Sequence, residues 1–242
     1  MRRAEVVLVV LALAGCDRVF QLEREETPVD IADAALRPGL IVWYPMDELD
    51  GNRLRDATGR GHDGLCAPET CPLPVAGVRD GALSFNGTKS LIYAASAPDL
   101  EQLTSLTVAV WIRPEGLRSG VECFVSKRYG TGLENSWQLC LRDNAPYVVT
   151  TAKNVVASST LTAGWHHVAM RWDGTSVSLT VDAIEVASAD VPPIVFGAGE
   201  LEVGADVDFG GTVAGFAGTI DDVQIFDRML TSAELLDLVA GP

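Results

Sequence analysis

Across 242 residues, 33 acidic side chains stand against 18 basic ones, a formal net charge of −15. That balance excludes a phosphate-gripping nucleic-acid protein and electrostatic adhesion to anionic lipid, and it suits a soluble domain outside the cell that meets divalent cations. The length allows one sizeable domain preceded by a targeting segment.

At the N-terminus, Arg2 and Arg3 precede Val6 to Leu13, an apolar run of eight residues. The run is too short to span a bilayer and reads as a removable signal peptide. Leu13-Ala14-Gly15-Cys16 matches a bacterial lipobox, in which the Cys thiol takes a diacylglycerol and becomes the new N-terminus. The expectation is a signal peptide over residues 1–15, lipid attachment at Cys16, and residence in the bacterial cell envelope, facing the periplasm or on the outer membrane. Contact with the membrane is through lipid only, because the chain offers no basic face. Residues 16–38 read as a linker in which Glu23, Glu25, Glu26 and Asp30 mix with Arg and Pro. About twenty such residues reach up to roughly 70 Å when extended.

From residue 39 to 242 the pattern is strand and turn. Leu40 to Met46 is a first strand. Ala82 to Phe85 and Leu91 to Tyr93 flank Asn86-Gly87, a hairpin-type turn signal. Leu106 to Arg113, Cys123 to Ser126 and Trp137 to Leu141 follow. Trp165 to Trp172 turns at Asp173-Gly174 into Val177 to Val181, and Asp182-Ala183 turns into Ile184 to Ala187. Leu201 to Gly204 and Gly218 to Phe226 complete the set. In the last strand Val223 and Ile225 share one face, and strict alternation puts Asp221 on that apolar face, where a bare carboxylate is costly. Thr231-Ser-Ala-Glu234 is a capping box that opens a short helix. Many strands, no long helix and Gly/Pro/Asn/Asp turns predict an all-β, antiparallel two-sheet sandwich with a C-terminal helix.

Five cysteines stand at 16, 66, 71, 123 and 140. Without the lipidated Cys16, four remain, an even number suited to an oxidising compartment. Of the three pairings possible, Cys66–Cys71 closes a small Pro-containing loop and Cys123–Cys140 joins two neighbouring strands. Neither pair is a CxxC and no His has ligand spacing, which disfavours zinc.

Five blocks in order carry a family resemblance: Trp43-Tyr-Pro-Met-Asp-Glu48 with Asp56 to Gly64, Gly81 to Gly87, Leu106 to Pro114, Gly164 to Gly174, and Gly215 to Leu235. Together they resemble laminin-G-like jelly-roll domains of the concanavalin A-like lectin/glucanase superfamily. The resemblance implies a jelly-roll sandwich whose members bind glycans or proteins, so the expected function is a non-catalytic binding module for a glycan or an envelope protein. The alternatives are a divergent glucan-acting glycoside hydrolase and a structural envelope protein.

Chemistry is sparse. A retaining glycosidase needs two carboxylates about 5–5.5 Å apart. The Glu-x-Asp-x-(x)-Glu strand known in the superfamily's glucanases is missing. Glu200-Leu-Glu202, with Asp206 and Asp208 after it, is the nearest run and reads as a solvated acidic edge. Of His166 and His167, one is expected to pack and the other to face solvent, and no Ser-His-Asp order accompanies them. The family implies one structural calcium where the first and last strands meet, at positions matching Asp47 and Asp221, with Asp56 as a third ligand. Turn capping by these acids, or pairing with Arg113 or Arg228, is the alternative. Tyr129, Arg142 and Tyr147 are the candidate glycan-contacting groups, against an ordinary surface role.

Overall fold

The computed structural model describes residues 37–130, 134–208, 211–212 and 214–241. The strands follow from runs of alternating or continuous apolar residues cut by glycine and Asx turns. In chain order they are β1 (Leu40–Tyr44), β2 (Arg53–Leu54), β3 (Gly64–Leu65), β4 (Leu73–Ala76), β5 (Gly81–Asn86) and β6 (Ile92–Ala94). Next come β7 (Leu106–Pro114), β8 (Val121–Arg128), β9 (Asn135–Arg142), β10 (Ala145–Thr150), β11 (Val155–Val156) and β12 (His166–Trp172). The series ends with β13 (Ser176–Val181), β14 (Ile184–Asp190), β15 (Leu201–Val203), β16 (Val207–Asp208), β17 (Gly211–Thr212) and β18 (Ala217–Phe226).

Among the described residues these form two antiparallel sheets and a small β16–β17 ribbon. The first sheet runs β14-β13-β12-β7-β18-β5-β4, with β1 also on β18, and the second runs β11-β10-β9-β8-β15-β6-β3-β2. The core lies between them. Val108, Val110, Ile112, Met170, Trp172, Ile220 and Ile225 of the first sheet meet Phe124, Trp137, Leu139, Leu141, Val148 and Leu201 of the second. This is the sandwich expected from the sequence.

The outer face of the first sheet is closed by the C-terminal helix Ser232–Ala240. Thr231 caps it: its hydroxyl accepts from Glu234 N–H at 3.2 Å while Glu234 accepts from Thr231 N–H at 2.8 Å. Leu235 and Leu238 pack onto Trp43, Phe226, Ala109 and Ala169. The two alanines, adjacent in register on β7 and β12, leave the room the helix needs. Among the described residues no helix is long and apolar enough to cross a membrane.

Three local expectations change. The first strand ends at Tyr44, and Met46 takes a left-handed φ of 67°. Asn86-Gly87 is not a hairpin turn: β5 belongs to the first sheet and β6 to the second, so the segment crosses between layers. Asn86 Oδ1 organises that crossing by accepting from the N–H groups of Thr88, Lys89 and Ser90. Asp221 is not on the core face. A bulge with Asp222 at φ 48° shifts the register between Asp221 and Gln224, so Ile220 and Val223 both face inward and Asp221 lies opposite outward-facing Trp111.

Candidate functional site

The polar groups converge on the outer face of the second sheet. Strand register places Leu65, Tyr93, Glu202, Ser126, Gln138 and Val149 in one cross-strand row. The row begins exposed, with Tyr93 37% accessible, and becomes buried at Glu202, which is 1% accessible. The burial arises because the chain turns back over the sheet after β15. The turn is made at Gly204, φ 91°, where a Cβ would stand 2.0 Å from the Phe85 ring. The returning backbone is then bound to the row. Ser126 donates to Ala205 O at 3.3 Å, Val207 N–H donates to Glu202 Oε2 at 3.2 Å, and Asn135 donates to Asp206 Oδ1 at 3.2 Å.

This enclosure sets the charge. Loss of water pushes the Glu202 carboxyl up to about 8; Asp206 and Glu200 add to the rise, and Arg128 and the Val207 N–H oppose it. Arg128 lies 3.7 Å from Glu202 Oε1. At neutral pH Glu202 is therefore mostly a neutral acid with a proton to donate. Beside it, Gln138 Nε2 and Asn135 Oδ1 are buried atoms without a hydrogen-bond partner. A buried amide that makes no bond is costly unless a water or ligand completes it. Glu200-Leu-Glu202 is thus not a solvated acidic edge: Glu202 and Asp206 are buried.

The sequence-predicted binding residues sit differently. Cys66–Cys71 and Cys123–Cys140 are bonded. Tyr147 lies over the Cys123–Cys140 bridge and is buried, with the Arg142 guanidinium 5.2 Å above its ring. Tyr147 is therefore packing rather than a free platform, and Arg142 is the exposed member of the pair. Tyr129 is exposed at the opposite end of β9, so the structure does not gather the three. Cys16 lies outside the described residues.

Of the three expected calcium ligands, two share a turn. Asp221 Oδ2 accepts from the N–H groups of Val78 and Arg79 at 2.7 and 3.3 Å, and Asp47 Oδ1 accepts from Gly81 N–H at 2.9 Å. Asp221 Oδ1 is buried without a partner. Burial, with the nearby Asp222 and Asp47, lifts the Asp221 carboxyl to about 7 against the pull of those two N–H groups. Asp56 is elsewhere. It holds its own turn by accepting from Trp43, Thr58 and His62 N–H groups. Neither alternative Arg joins the acids: Arg113 stacks on Trp165, and Arg228 pairs with Glu234. Among the described residues no group of three or more His, Cys, Asp or Glu side chains is gathered for a metal. The donors fit a hard cation only in part, as two carboxylates at one turn, one with an unpaired oxygen.

Sequence comparison settles the lineage. A family model of the concanavalin A-like lectin/glucanases superfamily matches residues 86–236. The chain belongs to that superfamily. Its fold recurs in domain 4 of AbnA, an extracellular arabinanase of Geobacillus stearothermophilus, in complex with arabinotriose. The two share 20% identity with a TM-score of 0.64, covering 83% of this chain and 98% of that one. The binding domain of Paraclostridial Mosquitocidal Protein 1 has 13% identity and a TM-score of 0.65, with 83% of this chain matched to 52% of that one. Trypanosoma rangeli sialidase has 18% identity and a TM-score of 0.65, and the match spans 32% of its length. At these identities the likeness shows the fold. None of the curated proteins matches the chain in sequence.

Sequence reasoning missed the superfamily member's own polar row. Tyr93 and Gln138 each lie in readable strands, but nothing local shows that β6 and β9 flank β15 and β8 in one sheet. The signal that was available is Gly204, a glycine directly after a strand and ahead of two acids.

Proposed function

We propose that this protein is a carbohydrate-binding module, lipid-anchored at Cys16 in the bacterial envelope, that holds a glycan on the outer face of its second sheet and does not cleave it. The observation that carries the reading is exposed Tyr93 at the open end of a polar cross-strand row, directly beside Glu202. A sugar presents an apolar C–H face and a rim of hydroxyls. An aromatic ring next to fixed donors and acceptors matches both. The fold shared with an arabinanase domain seen with arabinotriose supports the class of ligand. One missing feature argues against hydrolysis, the strand motif of the glucanases. A cation at Asp47 and Asp221 belongs to the same reading as a structural element, remote from the row.

A glycan array probed with the full chain tests this. Binding to one glycan class is expected, with Tyr93→Ala weakening it at least tenfold while the fold is kept. Unchanged binding in Tyr93→Ala, or reducing sugar released from a bound glucan, contradicts it. The second reading, a protein partner, draws on one observation. Edge strand β4 is exposed along all four residues, with Leu73 70% accessible, and a bare edge accepts an added strand.

A further inference from the structure

Three side chains away from the sheet-face row stand in a hydrogen-bonded line at the edge of the first sheet. His166 opens β12 and is partly exposed, whereas its neighbour His167 is buried. Thr162 Oγ1 lies 3.0 Å from His166 Nε2, and His166 Nδ1 lies 3.0 Å from Asp182 Oδ2. Asp182 is held independently of that contact. Its Oδ1 accepts from His167 N–H at 2.9 Å, and its own N–H donates to His167 O at 2.8 Å. The turn between β13 and β14 thus fixes a carboxylate against the imidazole from across the strand pair. A carboxylate on Nδ1 keeps the proton there and leaves the Nε2 lone pair facing the threonine hydroxyl. That order of hydroxyl, imidazole and carboxylate is the one in which a weak alcohol becomes a nucleophile.

The surroundings define what such a nucleophile would accept. Thr162 and Ala163 line a depression of about 60 Å³ with Pro114, Leu117, Asn144 and Leu161. On the same measure one water takes about 10–15 Å³, so the depression holds only a few water-sized groups and suits a short acyl chain rather than a long one. Gly164, φ 119°, shapes the same turn.

We propose that Thr162, His166 and Asp182 form a nucleophilic relay that hydrolyses short-chain acyl esters. Thr162 Oγ attacks the ester carbonyl carbon while His166 Nε2 takes its proton. The ester C–O bond breaks, the alcohol leaves with that proton, and the acyl group remains on the threonine oxygen. Water then gives a proton to Nε2 and attacks the acyl-threonine, releasing the carboxylic acid and restoring the hydroxyl. Asp182 is a positioning residue throughout. The relay does not depend on the glycan reading.

The test is hydrolysis of p-nitrophenyl acetate and p-nitrophenyl octanoate by the full chain, with mass spectrometry of the acid-quenched protein. The expected result is faster turnover of the acetate by at least tenfold and one acetyl group on the peptide bearing Thr162. Thr162→Ala should abolish both turnover and label, and Thr162→Ser should retain them. Asp182→Asn should lower kcat on the order of a hundredfold or more at unchanged KM and melting temperature. If the three residues only tie the loop to the hairpin, the variants melt earlier and no acyl-threonine appears. That result, an acetyl group on another residue, or full turnover by Thr162→Ala overturns the proposal.

Discussion

Glu202 is the residue where burial and charge meet. Its folded carboxyl loses its proton only near pH 8, against an ordinary value of 4.5. Between those values the unfolded chain has released the proton and the folded one has kept it. The unfolded state then binds fewer protons, so this group's contribution to stability falls as pH rises from 4.5 to 8 and is level above that. Glu202→Gln keeps the shape and the hydrogen bond from Val207 but removes the titration. The variant is expected to be more stable than the parent by a few kcal/mol at pH 9 and close to it at pH 5. Urea denaturation at the two pH values checks this, and an equal difference at both would contradict the assignment. Asp221 illustrates a different lesson at this scale. Strict alternation from Val223 puts it inward, and one positive φ at Asp222 reverses that side. No residue type at 221 or 222 announces a bulge, so the side chain's direction was not readable from spacing.

At the level of elements, the C-terminal helix has separable parts. Thr231→Ala removes one half of the capping box and is expected to cost about 1 kcal/mol. Leu235→Ala opens a cavity against Trp43 and Phe226 and is expected to cost about 2–5 kcal/mol. Denaturant midpoints on the two variants give the comparison, and a Thr231 effect larger than the Leu235 effect would mean that capping rather than packing holds the helix. This helix was legible because its signals are local: a Thr-x-x-Glu start and leucines at helical spacing. So were the long strands β7, β9 and β12, whose core residues alternate, and β18 apart from its bulge. The Asn86-Gly87 segment misled for the same reason. An Asn-Gly pair reports a tight local turn, but whether the next strand joins the same sheet depends on β6 finding β15 and β3, pairings far away in sequence. Short β2, β3 and β11 carry too few residues for any period to show. The polar row was hidden by the same cause, since it is assembled from six strands.

For the molecule as a whole, the second sheet is stapled on its outer face. Cys123 and Cys140 are cross-strand neighbours, fully buried beneath Tyr147. A bridge closing a loop of this size contributes about 3 kcal/mol, so Cys123→Ala with Cys140→Ala is expected to lower the melting temperature several degrees without loss of fold. The turn holding Asp47 and Asp221 ties the first and last strands of the domain together. Calcium is expected to raise the melting temperature of the chelator-treated chain, and Asp221→Asn to remove that rise; no response to calcium would leave the turn held by its backbone hydrogen bonds alone. The central claim is that a glycan docks on the outer face of the second sheet at Tyr93, the exposed end of the row that Glu202 continues. Amide chemical-shift mapping of the full chain during titration with a glycan that the array returns tests it most directly. The account predicts saturable shifts concentrated on β6 and β15 around Tyr93. Saturable shifts confined to the first sheet, or none on this face with any glycan that the chain binds, would contradict it.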